Sequence, residues 1–380
     1  MDSHFRDTKN KLQQGDYKEL TLVFGNESCD LDSAVTSVVL AIFLSWKWHS
    51  EGCQDNLVVP VLDVDRSDYD LKTEIKFSFD QARITAGDLI FRNDFDFKDL
   101  VERKKTNVIL VDHHVLSDRS QYLKEYVTEI IDHRPTDVKV KEYKDAKLNI
   151  EVVGSCATLV AQICKENNGL SFFNMFPDCA ELLHSAIIMD TANFSEVMKK
   201  TTPLDVEMAI FLEDLQNTPD SPDFYSDEIR NKKRSAKLSK LSSVKSNVSN
   251  LTAPQLLRKD AKVTGTVFVP GFPILVKEFL EKPNAMQSIA EALKSNGCTL
   301  CILLGMNYNG ENLERDIAVY NTTNDSVAKE LSSHLKSWKE PDFELTPIQV
   351  SYNLDYYQQN NLQASRKQYM PAIQEFLNKL

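Results

Sequence analysis

The sequence predicts an α/β protein: a doubly wound, mostly parallel sheet, followed by a second, smaller α/β domain. Three observations carry that expectation. Short apolar runs suited to buried strands recur early in the chain, separated by stretches of helical length. Those runs end in carboxylate, amide and imidazole side chains, the pattern of groups converging on the crevice at the carboxyl edge of such a sheet. The texture then changes between Glu213 and Leu251, where Ser and Lys displace large apolar residues before apolar runs resume.

Taken in order, Leu20 to Gly25 (LTLVFG) reads as the first strand, and AVTSVVLAIFLSWKW as a largely buried helix behind it. Asp30 and Asp32 sit in the turn between them. A helix N-cap accounts for one of these carboxylates but not for both. Leu57 to Leu62 is a second strand, with Pro60 arguing for an edge position. Asp88 to Phe91 is a third, running into Arg92, Asn93 and Asp94. Asn107 to Val111 is the central strand and stops at Asp112, His113 and His114. Val127 to Ile131 follows and stops at Asp132, His133, Arg134 and Pro135. Gly154 to Leu159 opens a helix whose free amides form a ready anion site, or simply a capped start. Leu182 to Met189 is a second very apolar helix ended by Asp190. A buried carboxylate there needs a partner, and a metal is the economical one.

These features give a domain over 1–215, a polar linker region over 216–251 that is helical in part, and a C-terminal domain over 252–380. Lys232, Lys233 and Arg234 read as a solvated face of the linker. In the last domain, VTGTVFV, TLCILLG and Asp316 to Tyr320 are strand-like, and MPAIQEFLNKL is a final helix. Arg258 with Lys259, and Arg366 with Lys367, suit phosphate clamping.

Bulk properties narrow the function. The 380 residues leave room for two cores, and 42% hydrophobic with 26% charged residues is a globular composition. The opening twenty residues contain no apolar segment of a signal peptide, and Ala34 to Trp48 is too short and too interrupted for a membrane span. The seven cysteines, odd in number and scattered, suit a reducing compartment and hence the cytoplasm. Cys298 and Cys301 read as core residues. A net charge of −12 excludes general nucleic-acid binding through a basic field. An anionic substrate would have to be drawn in by bound cations and a few placed Arg and Lys. Protein partners stay open.

Asp30, Asp32, Asp112, His113 and Asp190, with Asn93 or Asp94, offer several oxygens and an imidazole. That donor mix suits Mn²⁺, or Mg²⁺ or Co²⁺, better than structural zinc. So many carboxylates at one crevice need counter-charge, and two divalent ions about 3.5–4 Å apart would supply it while clamping phosphoryl oxygens.

In order and spacing, GNESCDLDS, LVDHH, IDHRP, VGSCATL, SAIIMDTANF, LLRKD and SRK resemble the DHH phosphoesterase superfamily. More closely they resemble its prune and short-chain exopolyphosphatase branch, kin to family II inorganic pyrophosphatases. The resemblance runs from about residue 20 to 378, and no GGGH motif of the RecJ type is present. It implies a pyrophosphatase-type C-terminal domain and an active site in the cleft between domains. It also implies that Asp30, Asp32, Asp112, His113 and Asp190 hold two metals. His114, His133, Arg134, Arg258, Lys259, Arg366 and Lys367 then face substrate, with His114 or His133 as the candidate proton donor to the leaving oxygen. Asn26 stands where pyrophosphatases have His, as the prune branch does. Asn93 stands where the family has a bridging Asp after LIFR, which makes Asp94 the expected substitute. The implied activity is hydrolysis of terminal phosphates from short polyphosphates. The alternatives are a cyclic-nucleotide phosphodiesterase and a weakly active scaffold.

Overall fold

The apolar runs of the N-terminal half become strands because both of their faces are covered. In this computed structural model, which describes residues 2–53, 55–215, 226–308, 312–321, 325–349, 352 and 354–379, the chain divides into two compact units, Met1–Lys245 and Ser246–Leu380.

In the first unit, β1 (Glu19–Phe24), β2 (Asn56–Val61), β3 (Lys105–Val111), β4 (Val127–Asp132) and β5 (Lys147–Ile150) form a sheet in the order β2-β1-β3-β4-β5. Every pairing is parallel, and Pro60 lies on an edge strand as expected. Side chains alternate between two cores. Val23, Ile109, Val111 and Ile131 face one layer with α2 (Leu31–Ser50), α3 (Thr73–Gln81), α5 (Cys156–Glu166), α6 (Gly169–Met175), α7 (Pro177–Asp190) and α8 (Pro203–Leu215). Leu20, Leu22, Phe24, Leu110 and Ile130 face the other, with α1 (Asp2–Gln14) and α4 (Phe97–Arg103). Burial on both sides is why these strands read as unbroken apolar runs rather than as alternating ones.

Among the described helices α2 alone is long and apolar enough to cross a membrane, but its first thirteen residues are buried in this core. The expected strand at 88–91 shrinks to one bridge between Leu62 and Phe91. The Asp94 carboxylate accepts the Phe91 amide at 2.9 Å and closes a turn there, so no ladder continues. The stretch read as a linker contains α9 (Asp227–Ser246), and part of it lies outside the described residues. Arg234, expected on a solvated face, is instead buried and paired with Glu213 at 2.5 Å.

The second unit is a mixed six-stranded sheet. Its strands β6 (Ala261–Thr264), β7 (Val267–Phe272), β8 (Leu300–Tyr308), β9 (Leu313–Asn321), β10 (Leu345–Ile348) and β11 (Asp355–Gln359) lie in the order β10-β11-β9-β8-β7-β6. Only β7 and β8 pair in parallel. Five helices complete it: α10 (Ala253–Lys259), α11 (Val276–Leu280), α12 (Ala285–Ser295), α13 (Asp325–Ser337) and α14 (Arg366–Leu377). Cys298 and Cys301 are buried thiols, as read from the sequence.

Candidate metal centre

From β1 the chain turns to one side of the sheet, and from β3 onward to the other. The point between them is where an open parallel sheet parts its connecting loops and leaves a crevice. Asn26, just past β1, fixes the first wall. Its Nδ2 donates to the Asp112 carboxylate at 2.6 Å, and its Oδ1 accepts the Ser28 and Cys29 amides at 3.0 Å each. Asp30 caps α2, accepting the Ser33 amide at 3.1 Å. Asp32, two residues further on, is 1% exposed.

Asp32 is held by the start of α5. Its carboxylate accepts Ser155 Oγ at 2.9 Å, the Cys156 amide at 2.7 Å and the Ala157 amide at 2.8 Å. The anion site expected at Gly154 to Leu159 therefore exists, and the protein's own carboxylate fills it. Asp205 pins the residue before this cap, accepting the Gly154 amide at 2.8 Å and Thr158 Oγ1 at 2.6 Å. A side chain at Gly154 would meet Thr191 Cγ2 at 2.5 Å, so only glycine lets α5 come this close.

Asp112 follows β3 with left-handed backbone, φ 61°, and is fully buried. His133 follows β4. Its Nδ1 lies 3.1 Å from the Val153 carbonyl, which can only accept, so Nδ1 carries a ring proton and Nε2 is the nitrogen turned toward the carboxylates. Nε2 is 3.2 Å from Asp112 Oδ1 and 3.9 Å from Asp32 Oδ2, buried, and without a hydrogen-bond partner. One ligand atom from each of Asp32, Asp112 and His133 lies within 4.8 Å of the others. Asp190 adjoins them, since burial and then the charges of Asp32 and Asp30 push its carboxyl to about 9. Burial and then Asp32 push Asp112 up to about 7, and burial likewise raises Asp32. Burial alone would lower His133, but contact with Asp112 and the charge of Asp32 raise it to about 9.

Buried carboxyls crowded in this way are groups whose charge a cation would balance. An imidazole whose far nitrogen is fixed by a backbone carbonyl and whose near nitrogen is buried without a partner is arranged as a metal ligand is. The oxygen-rich set around it fits Mn²⁺ or Mg²⁺.

Several of the expected residues stand elsewhere than in this group. His113 does not join the cluster, because the left-handed turn at Asp112 directs its Nδ1 to the Val111 carbonyl at 2.9 Å. His133 lies in the group with Asp32 and Asp112. Asp94 does not substitute for a bridging ligand either. It is 12% exposed and gripped by Arg66, Nε at 2.7 Å and Nη2 at 2.5 Å, while Asn93 Oδ1 accepts the Arg66 amide at 2.9 Å. His114, expected to protonate a leaving group, has both nitrogens engaged. The Asp137 amide donates to its Nε2 at 3.0 Å, so its Nδ1 proton goes to Asp132.

Of the expected substrate-facing cations, Arg134 lies against the cluster, its Nη1 2.8 Å from Asp112 Oδ1 and 3.0 Å from Asp132 Oδ1. In the second unit, Arg366 at the start of α14 binds Asp260, with Nη2 2.5 Å from Oδ1 and Nη1 2.7 Å from the carbonyl. That pair joins the stretch Arg258–Lys259–Asp260 to Arg366–Lys367. Asp205 is the residue that sequence reasoning missed, and the anion that Gly154 and Ser155 serve turns out to be the protein's own Asp32. An Asp at the third position of an amphipathic helix carries no signal, but the Gly-Ser before a helix did.

Known proteins resemble this chain along its whole length. Residues 21–187 match the DHH family, N-terminal domain, and residues 239–376 match the DHHA2 domain. Exopolyphosphatase PRUNE1 of Mus musculus is 31% identical over 387 residues, spanning 100% of this chain and 79% of that one. The Homo sapiens protein of that name is 31% identical, spanning 100% and 80%. That of Bos taurus is 30% identical over 384 residues, spanning 100% and 80%.

Proposed function

The chain belongs to the prune branch of the DHH superfamily, and on that premise we propose that it is a divalent-metal-dependent phosphohydrolase removing terminal phosphates from short polyphosphate chains. The single observation behind this reading is the buried, unpartnered Nε2 of His133 between the carboxylates of Asp32 and Asp112. Asp32, Asp112, His133 and Asp190 would hold the metals, with Asp30 alongside and Mn²⁺ the best fit to this donor set. When bound, such a pair supplies Lewis acidity toward phosphoryl oxygens and acidifies an attacking water.

The protein's own groups do the rest. The α5 amides favour the charged form of Asp32 against its burial, and the Val153 carbonyl keeps His133 Nε2 aimed inward. Arg134, tied to Asp112 and Asp132, presents a half-exposed guanidinium at the rim for phosphoryl oxygens. In the second unit, Arg258, Lys259, Arg366 and Lys367 are candidates for phosphate binding, and the Asp260 ion pair orients Arg366. His114, with both nitrogens engaged, is not the group that protonates the leaving phosphate in this reading. The seven free thiols suit a cytoplasmic setting.

Phosphate release from tripolyphosphate, pyrophosphate and cyclic AMP, with Mn²⁺ or Mg²⁺, tests the reading beside an Asp112→Asn control. Release from tripolyphosphate that the control abolishes supports it. Turnover of cyclic AMP alone, or silence on all three with metal bound, overturns it.

A further inference from the structure

The backbone leaves Asp190 in an unusual way. Ala192, Asn193 and Phe194 have φ of 48°, 53° and 62°, three consecutive residues with side chains in left-handed conformation, separated from Asp190 only by Thr191. Asn tolerates this region, but Ala and Phe do not, and such backbone persists only where its surroundings over-determine it. Within the turn, the Asn193 amide reaches the Ile188 carbonyl at 2.9 Å, and the Phe194 amide donates to Thr191 Oγ1 at 3.3 Å. The Ala192 amide reaches the Met189 carbonyl at 3.2 Å and the Ser195 amide the Thr191 carbonyl at 3.0 Å, and further restraint comes from α9. Asn193 Nδ2 donates to Asn231 Oδ1 at 2.9 Å and to Ser235 Oγ at 3.0 Å. The Arg234 guanidinium lies 4.9 Å from the centre of the Phe194 ring and is itself clamped on Glu213, at 2.5 and 2.9 Å. Glu213 also receives Arg230 at 2.8 Å and His184 Nε2 at 2.8 Å, which seats α9 firmly on α7 and α8.

We propose that Asn193 of this turn and Asn231, Arg234 and Ser235 of α9 are positioning residues that hold Asp190 in place for metal. The Arg234 and Glu213 network is the anchor, and the Asn193 amide is the point where α9 takes hold of the turn. Helix α9 ends at Ser246, where the second unit begins, so the same helix that sets Asp190 leads directly into that unit. The proposal rests on the reading of Asp190 as a metal ligand, and its test separates the two.

Asn231 and Ser235 are exposed, so their truncation leaves the core intact. Mn²⁺ binding to the full-length protein, without substrate, is measured by calorimetry for wild type, Asn231→Ala/Ser235→Ala, Asn231→Asp and Asp190→Asn, with Tm of each metal-free protein alongside. The double variant is expected to weaken Mn²⁺ binding by roughly tenfold, the lower range for loss of a ligand's support, with metal-free Tm little changed. Asn231→Asp keeps the acceptor for Asn193 and is expected to bind within about twofold of wild type. If Asp190→Asn weakens binding and the double variant does not, the role given to α9 is overturned while the ligand reading stands. If Asp190→Asn binds as wild type, the ligand reading itself fails and takes this inference with it.

Discussion

Replacing His133 with alanine, beside His113→Ala, separates the two histidines that the sequence alone could not. His133 Nε2 is a buried donor between two carboxylates, whereas His113 makes a single hydrogen bond to the Val111 carbonyl. Removing a group that merely orients a ligand costs 10–100-fold in metal affinity, so removing a ligand should cost at least about 100-fold, or roughly 2.7 kcal/mol. His113→Ala forfeits one neutral hydrogen bond, about 1 kcal/mol of fold stability, and leaves metal affinity within about twofold. Calorimetric Mn²⁺ titration and the Mn²⁺ half-saturation of tripolyphosphate hydrolysis read both. The reasoning is refuted if His113→Ala weakens binding as much as His133→Ala, or if His133→Ala binds as wild type.

The metal-free protein should lose stability as pH rises. Asp112 at about 7 and Asp190 at about 9, against an ordinary 3.8, mean that the folded state keeps protons the unfolded chain has released. That contribution is complete at acid pH and is lost as pH climbs through those values. Chelator-treated protein should therefore melt at least about 2–4 °C lower at pH 9 than at pH 5, with Mn²⁺ removing the difference. A flat or rising profile without metal would contradict the crowding of carboxyls. Asp94→Ala should lower stability by roughly 1–3 kcal/mol through loss of the Arg66 ion pair and of the Phe91 turn while leaving the Mn²⁺ requirement unchanged; denaturant melts and metal titration check each half. Gly154→Ala puts a methyl against Thr191 and Asp205 and should cost about 1–3 kcal/mol. Because it also shifts the cap on Asp32, Mn²⁺ affinity should fall with it, and a variant as stable as wild type would show that α5 has room to move.

The parallel sheet, its edge proline and the carboxylates at its strand ends were legible because strands buried on both faces print as apolar runs with polar stops. Which histidine joins the site was not. Adjacent residues after a strand are separated by one backbone turn, and the left-handed φ of Asp112 sends His113 away. The parallel register holds the missing clue: Val111 pairs with Ile131, which sets Asp112 beside Asp132 and brings His133 within reach. Asp94 misled because LIFRND was matched by position alone. The ion pair to Arg66, 28 residues upstream, is a tertiary contact that no local spacing announces. Asp205 stayed hidden for the same reason, its partner Gly154 lying 51 residues away.

The most direct test of the central claim is phosphate release from tripolyphosphate by chelator-treated protein as Mn²⁺ is restored stepwise. The account predicts no release in chelator, recovery that saturates with Mn²⁺, and no recovery in Asp112→Asn. Undiminished release in chelator, or full recovery in that variant, would contradict it.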